Sequence, residues 1–303
     1  MKKLVLDIGG SAIKYAVMDE KAEIFQRGEL TTPLDKIESL MDAIKGIYEC
    51  VKAEVNGIAI SMPGNIDSLT GQVYSPGALT YNENINIIDK IHEYINLPVS
   101  VENDGKSAAL AEVWKGNLAD CSDGVVMILG TGIGGGIIKN RKVHKGNHFF
   151  AGELSYIMSD INNLDINNVF ALKGSTAALI MEAAAVKKVD PQSINGHDVF
   201  QWINDNDPDV IEVFEKITMN IAMQIYNLQC ILDPEKVLIG GGISKQPILI
   251  KKIRDNLERI YSIIPFNIPQ AIVDTCKYFN DSNLVGALYN YYLQFPEEYN
   301  MKY

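Results

Sequence analysis

The sequence predicts an α/β protein made of two related lobes. Strand-like and helix-like segments alternate along the chain, which argues for mainly parallel sheets covered by helices. The stretch LVLDIGGSAIKYAVMD, Leu4 to Asp19, holds an apolar strand, a glycine turn and a second apolar strand, and VVMILGTGIGGGII, Val125 to Ile138, repeats that plan in the other half. With 303 residues, 47% of them hydrophobic and 21% charged, the chain can bury a full core and has the length of about two domains.

Strands are expected at Leu4 to Ile8, Val55 to Ser61, Pro98 to Glu102, Gly124 to Leu129, Ile133 to Ile138, Lys236 to Ile239 and Ala271 to Val273. Gly9 and Gly10 suit a tight turn at φ > 0, after which Ile13, Tyr15 and Val17 restart with period two and complete a hairpin. Thr32 and Pro33 read as N-cap and first residue of a helix running to about Cys50. The longest helical pattern is Pro208 to Leu232, where Ile211, Phe214, Ile217, Ile221, Ile225 and Leu228 recur at threes and fours as a core face. Asn162 to Asn168 and Asn204 to Pro208 read as polar loops. No Pro-rich or Gly/Ser-rich linker occurs, so the boundary between lobes is placed within Trp114 to Asp123, where a helix ends at Gly116 and a polar turn follows.

A formal net charge of -11 disfavours a binder of nucleic acid, whose affinity comes largely from Lys and Arg neutralising phosphates. No run of ~18 apolar residues suggests a membrane span, and the first residues read as a strand and not as a leader. A cytoplasmic protein is expected. Cys50, Cys121, Cys230 and Cys276 lie far apart and read as reduced, buried thiols. His144 and His148 sit in a polar loop flanked by glycine with no third ligand, and His92 and His197 read as surface positions, so no metal site is drawn from histidine.

The first hairpin has two readings. In one, Asp7 is simply an acid at the mouth of a turn; in the other, glycine amides approach a phosphate while Asp7 holds a Mg²⁺ that bridges protein and phosphate oxygens. The second hairpin, with Thr131 in its turn, favours the phosphate reading, since one such hairpin per half implies a nucleotide held between two related lobes. Gly130, Gly132 and Gly135 also spell GxGxxG, but β-branched residues and the basic turn Lys139 to Lys142 follow where a dinucleotide site needs a helix. In KVLIGGGISKQP, Lys236 to Pro247, a strand runs into Gly240, Gly241 and Gly242, which either lie flat against adenine or ribose or serve only as a strand-to-helix turn.

In VENDGKSAALAEVW, Val101 to Trp114, Asn103 and Asp104 stand between a strand and an Ala-rich helix. Asp104 reads as an N-cap. It also reads as a carboxylate at the carboxyl end of a strand, where α/β proteins place their chemistry, able to take the proton of a hydroxyl attacking the γ-phosphoryl of ATP while Asn103 positions the acceptor. Lys14 reads either as facing a phosphate or as a solvated strand lysine.

Taken together, LDIGGSAIKYAV, SMPGNID, VYSPGAL, VENDGKSAALAE, ILGTGIGGGII, FAGEL and LIGGGIS resemble the successive motifs of the ROK family of sugar kinases, repressors and open reading frames, within the actin-like ATPase superfamily. The resemblance runs from Leu4 to about Leu288. It implies a two-lobed actin-like ATPase (ribonuclease H-like) fold with a cleft between lobes and a C-terminal helix, about Asp281 to Leu293, returning to the first lobe. The lobes are then residues 1–115 with 281–303, and residues 116–280. It implies ATP and Mg²⁺ as cofactors, with Asp7, Gly9, Gly10 and Ser11 serving phosphates and metal, Thr131 and Gly132 forming the second phosphate hairpin, and Gly240 and Gly241 flanking the adenosine. It implies Asp104 as general base, and Asn103, Glu153 and the turn at Gly64 and Asn65 as holders of a sugar. The implied activity is transfer of the γ-phosphoryl of ATP to a hexose hydroxyl, the 6-OH, as in a glucokinase, by a homodimer with no nucleic-acid or membrane partner.

This chain departs from the family pattern at one place. Glu153-Leu154-Ser155-Tyr156 stands where the family commonly reads ExGH, so Tyr156 replaces a histidine that contacts sugar and ligates zinc. The cysteine motif that follows in the family is absent, and the acidic sugar contact beyond it aligns with about Ala171, so no zinc site is expected. Those contacts surround the C1 and C2 hydroxyls, and their replacement suggests a more open, aromatic site that accepts a C1 substituent, as in a β-glucoside. A sugar sensor with weak catalysis, a repressor and a sugar-independent ATPase are the other readings. The repressor would need a DNA-binding segment ahead of the first hairpin.

Overall fold

The computed structural model describes residues 1–160 and 162–299. They form two compact units, the first of Met1–Lys115, Lys145–Ala151 and the segment from Asn280, the second of Gly116–His144 and Gly152–Phe279.

The first unit begins with strands β1 (Lys2–Ile8), β2 (Ala12–Met18) and β3 (Ile24–Thr31), then α1 (Ile37–Val51), β4 (Val55–Met62), a small hairpin β5 (Asn65–Asp67) and β6 (Gln72–Ser75), α2 (Ile87–His92), β7 (Val99–Asn103) and α3 (Asp104–Lys115). Its sheet runs β3-β2-β1-β4-β7, antiparallel from β1 to β3 and parallel from β1 to β7. From Gly57 to Met62, β4 is buried throughout, as a central strand covered on both faces requires. The core beneath is Leu4, Leu6, Ile58 and Ile60 against Leu40, Met41 and Ile44 of α1.

The second unit repeats the plan. Strands β8 (Gly124–Leu129), β9 (Ile133–Lys139) and β10 (Lys142–Val143) are followed by α4 (Ala171–Gly174), α5 (Thr176–Lys187), α6 (Gly196–Asn204), α7 (Pro208–Leu232), β11 (Lys236–Gly240), α8 (Pro247–Ser262) and β12 (Val273–Thr275). The sheet order is β10-β9-β8-β11-β12, antiparallel on the β9 side of β8 and parallel on the β11 side. Asp207 caps α7 with Pro208 at its first position, and Phe214, Ile217, Ile221, Ile225 and Leu228 bury their side chains as the periodicity predicts, whereas Ile211, expected on the same core face, is exposed in the first turn. Helix α9 (Ser282–Gln294) returns to the first unit and lies against α3 so closely that a Cβ on Gly286 would stand 1.7 Å from the Ser107 carbonyl oxygen.

Several expectations need correction. The helix expected from Thr32 begins at Ile37 with no side-chain cap, because the Thr32 hydroxyl donates to the Gly9 carbonyl at 2.7 Å and ties the chain to the first turn instead. Gly9 and Gly10 do not adopt positive φ; at Gly10 space is the constraint, since a Cβ would lie 3.1 Å from Ala78 Cβ. The last strand sits at Val273–Thr275, two residues later than expected. Of the cysteines expected to be buried, Cys121 and Cys276 are, while Cys50 and Cys230 lie on the exposed faces of α1 and α7. Residues 145–151, expected in the second lobe, pack with the first unit, drawn there by the ion pair of Lys145 with buried Glu102 at 2.9 Å.

Candidate active site

Asp7 is the next-to-last residue of β1 and pairs across the hairpin with Lys14, which places both side chains on one face of the sheet. Asn283, at the start of α9, donates to Asp7 Oδ1 at 3.0 Å. Burial pushes the Asp7 carboxyl above the usual carboxylate range; the Asn283 hydrogen bond and the Lys14 charge oppose this, while the nearby Asp104 charge adds to it. Two carboxylates that repel one another in a desolvated place suit a divalent cation. Among the described residues no group of three or more His, Cys, Asp or Glu sits together. One or two carboxylates are what Mg²⁺, which keeps several of its waters, takes from a protein.

Asn103 and Asp104 stand at the junction of β7 and α3. The N-cap is Asn103 and not Asp104: Asn103 Oδ1 accepts from the Lys106 backbone N–H at 3.1 Å, the bond a cap makes to the third helical residue. Asp104 is thereby set in the first turn, half-buried, its Oδ1 accepting from the Gly105 N–H at 2.8 Å and from Asn103 Nδ2 at 3.0 Å. Asn103 Nδ2 also donates to the Gly64 carbonyl at 3.0 Å. Gly64 has φ 121, and a Cβ there would meet the Ser75 carbonyl at 2.5 Å, so only glycine lets this turn close onto β6. Asn65 follows and donates to the His148 carbonyl at 2.8 Å. Asp7, Asn103, Asp104, Gly64 and Asn65 thus belong to one unit, and Ser11 ties its carbonyl to Thr32 N–H at 3.1 Å at the first turn.

In the second unit the turn after β8 carries exposed Thr131, with Gly130 N–H donating to the Gly132 carbonyl at 3.0 Å. Ser155 holds this turn: its hydroxyl accepts from Ile133 N–H at 2.9 Å and donates to the Ile133 carbonyl at 3.1 Å. That links the hairpin directly to the Glu153–Tyr156 stretch. Gly241, at φ 93, lies against the end of β8, where a Cβ would stand 2.1 Å from the Leu129 carbonyl, and Gly240 packs on Ile128 and Cys276. Gly240 and Gly241 are therefore neighbours of the Thr131 turn. Tyr156 is 59% exposed, so the alternative that it packs in the core does not hold. Where the family carries its cysteines, Phe170 N–H donates to the Ile157 carbonyl at 2.7 Å and Ser159 N–H to the Asn168 carbonyl at 2.8 Å, and this backbone ladder delivers Ala171 into α4.

Asn283, Lys145 and Ser155 were not anticipated as site residues. Ser155 had a signal, since a small hydroxyl stands within a quoted motif. Asn283 and Lys145 had none, because their partners are 276 and 43 positions away respectively.

Two sheets of one plan, each bearing a glycine hairpin between its first strands, define an actin-like ATPase. The family model of the ROK family matches residues 3–291. The chain belongs to the ROK family. A β-glucoside kinase of Listeria innocua is 31% identical over 296 residues, covering 96% of this chain and 97% of that protein. A ROK family protein of Streptococcus pneumoniae in complex with sucrose superposes with a TM-score of 0.89 at 26% identity, covering 98% of this chain and 100% of the other. A ROK family glucokinase of Streptomyces griseus in complex with glucose and AMPPNP gives a TM-score of 0.80 at 26% identity, covering 95% and 98%.

Proposed function

We propose that the chain is an ATP-dependent sugar kinase that transfers the γ-phosphoryl of ATP to a hexose hydroxyl, the 6-OH, with Asp104 as general base. The observation that carries this is the half-buried Asp104 carboxylate, oriented by Asn103 and set at a helix N-terminus beside the Gly64 turn. Asp104 takes the proton of the acceptor hydroxyl, the hydroxyl oxygen forms a bond to the γ-phosphorus, and the bond to the bridging oxygen breaks with its electrons leaving on ADP. Asn103, the Gly64 turn, Asn65, Glu153 and Tyr156 hold the sugar. Gly9, Gly10, Ser11, Thr131 and Gly132 offer backbone and hydroxyl donors to phosphates, and Gly240 and Gly241 give adenosine a flat wall. Asp7 would hold Mg²⁺, which when bound supplies positive charge to phosphate oxygens.

A second reading of the substrate, a C1-substituted glucoside, is favoured by exposed Tyr156 and by Ala171 in place of an acidic contact. The likeness to a protein named β-glucoside kinase, and to a structure that contains a disaccharide, supports it. Among the described residues no helix is long and apolar enough to cross a membrane. A cytoplasmic homodimer is part of the proposal, checked by light scattering. The deciding experiment is ADP release measured across glucose, mannose, fructose, N-acetylated hexoses, cellobiose and aryl β-glucosides. Sugar-dependent release supports the reading. ATP hydrolysis at one rate with and without every sugar overturns it.

A further inference from the structure

We infer that Asn283, in the first turn of α9, is the positioning residue for Mg²⁺ at Asp7: it grips the Asp7 carboxylate in one orientation, and α9 is the splint that fixes where Asn283 stands. The inference rests on the reading of Asp7 as holder of Mg²⁺ and deepens it, by giving a part in metal binding to a residue 276 positions away. Asn283 acts through Asp7 alone, since its amide is spent on the carboxylate.

The bond is directional. A carboxylate oxygen only accepts, so the amide nitrogen of Asn283 faces Asp7 Oδ1 at 3.0 Å, and the Ser282 hydroxyl, 3.4 Å from Asn283 Oδ1, lies at the other end of the amide as that orientation requires. From the neighbouring strand, Ser61 is the β4 partner of Asp7; it is fully buried, and among the described residues its hydroxyl has no partner apart from this carboxyl. The last torsion of an aspartate is broad when nothing grips it. Here an amide and a hydroxyl do. Neutral donors fix the carboxylate without cancelling the negative charge that attracts a cation, as a bonded lysine or arginine would.

The helix that carries Asn283 is pinned along its length. Gly286 lies against the Ser107 carbonyl of α3 with no room for a Cβ, and Asn290 Nδ2 donates to the Val101 carbonyl of β7 at 3.2 Å. Tyr291 fills the space over Gly57 of β4, where a Cβ would stand 2.2 Å from the phenol oxygen, and its hydroxyl donates to Glu298 Oε1 at 3.0 Å. Glu298, just past the helix, pairs with Lys3, whose side chain is 1% exposed. Lys3 stands near the start of β1 and Asp7 near its end, so the helix and the turn after it are tied to both ends of one strand. A slide by one residue, about 1.5 Å, would break every one of these contacts. Asn283 is thus held by contacts that do not involve its own side chain. Replacing that side chain removes the bond to Asp7 and leaves the helix in place.

The test uses the full chain with Asn283→Leu, which keeps much of the volume, and Asn283→Ala, which cannot clash; neither donates. Each is made alone and together with Asp7→Asn, and ADP is titrated calorimetrically once with Mg²⁺ and once with EDTA in its place. Loss of a partner that orients a metal ligand typically lowers metal affinity roughly 10- to 100-fold. Both single variants are therefore expected to bind ADP roughly 10-fold or more weakly in Mg²⁺, and within about twofold of the parent chain in EDTA. In the Asp7→Asn background the same substitutions are expected to cost nothing further, because a residue that acts through another has no effect once that other is gone. Equal losses with and without Mg²⁺, which a merely structural role would give, overturn the inference. So does an undiminished affinity in Mg²⁺, or a loss in the Asp7→Asn background as large as in the parent. A parent chain that binds ADP equally with and without Mg²⁺ overturns the inference together with the metal reading of Asp7, and sugar-dependent ADP release then decides the kinase separately.

Discussion

Lys145 Nζ lies 2.9 Å from Oε2 of Glu102, whose side chain is 1% exposed and directly precedes the Asn103–Asp104 pair. Oε2 is met by charge and not by an aligned hydrogen bond, while Oε1 accepts from the Asn103 N–H at 2.9 Å. Removing the lysine leaves a buried carboxylate unpaired, which typically costs about 3–5 kcal/mol. Lys145→Met is therefore expected to lower the denaturation midpoint, and adding Glu102→Gln is expected to restore most of it. Chemical unfolding of the single and double variants checks this. Equal stability of Lys145→Met and the parent chain would remove the pair from any structural role.

Asp104→Asn separates chemistry from architecture. The amide oxygen can still accept from Gly105 N–H and Asn103 Nδ2, and the helix cap resides on Asn103, so the fold is expected to be unchanged. What is lost is a base. Turnover is expected to fall by at least about 10² to 10⁴-fold. Nucleotide affinity, read by calorimetry with a non-hydrolysable analogue, is expected to change little. Retained turnover would exclude Asp104 as the base.

How much of this was legible in the sequence follows from the range of the interactions. The repeated hairpin, the periodicity of α7 and the Asn103-Asp104 dipeptide are local patterns, and they lie where the pattern put them. The cap fell one residue earlier because Asn103 and Asp104 are both good caps, and only the geometry of the strand end chooses between them. Thr32 left its helix because Gly9, 23 positions away, offered its carbonyl. Asn283 and the 145–151 segment join the first unit by contacts that no window of sequence spans.

Asp7→Asn tests the electrostatic cost of the first hairpin. Burial holds the folded Asp7 pKa above its unfolded value, so over the window above the ordinary value of 3.8 and through the raised one the folded state binds more protons than the unfolded state. Stability contributed by this group is then present at low pH and lost as pH rises through that window. The asparagine variant is expected to lose that fall and to melt higher than the parent at neutral pH without metal. It is also expected to lose the Mg²⁺-dependent gain in melting temperature that the parent chain is expected to show with nucleotide. A parent chain whose melting temperature is flat across this window would contradict the argument.

The glycine triplet after β11 gives a contrast within three positions. Gly241 has φ 93 and would place a Cβ 2.1 Å from the Leu129 carbonyl oxygen, whereas a Cβ on Gly242 would meet nothing within 4 Å. A backbone oxygen in the sheet cannot move aside as the end of a flexible side chain can. Gly241→Ala therefore adds backbone strain of about 1–3 kcal/mol, since φ 93 with ψ 170 is open essentially to glycine alone, to a steric clash that forces β11 away from the end of β8. Since the Thr131 turn begins at that end, the variant is expected both to destabilise the second unit and to raise the KM for ATP. Gly242→Ala is expected to fold and bind nucleotide as the parent does, and melting curves with and without nucleotide for the two variants measure the difference. Equal behaviour of the two would mean that Gly241 is a turn residue alone and that the nucleotide wall lies elsewhere.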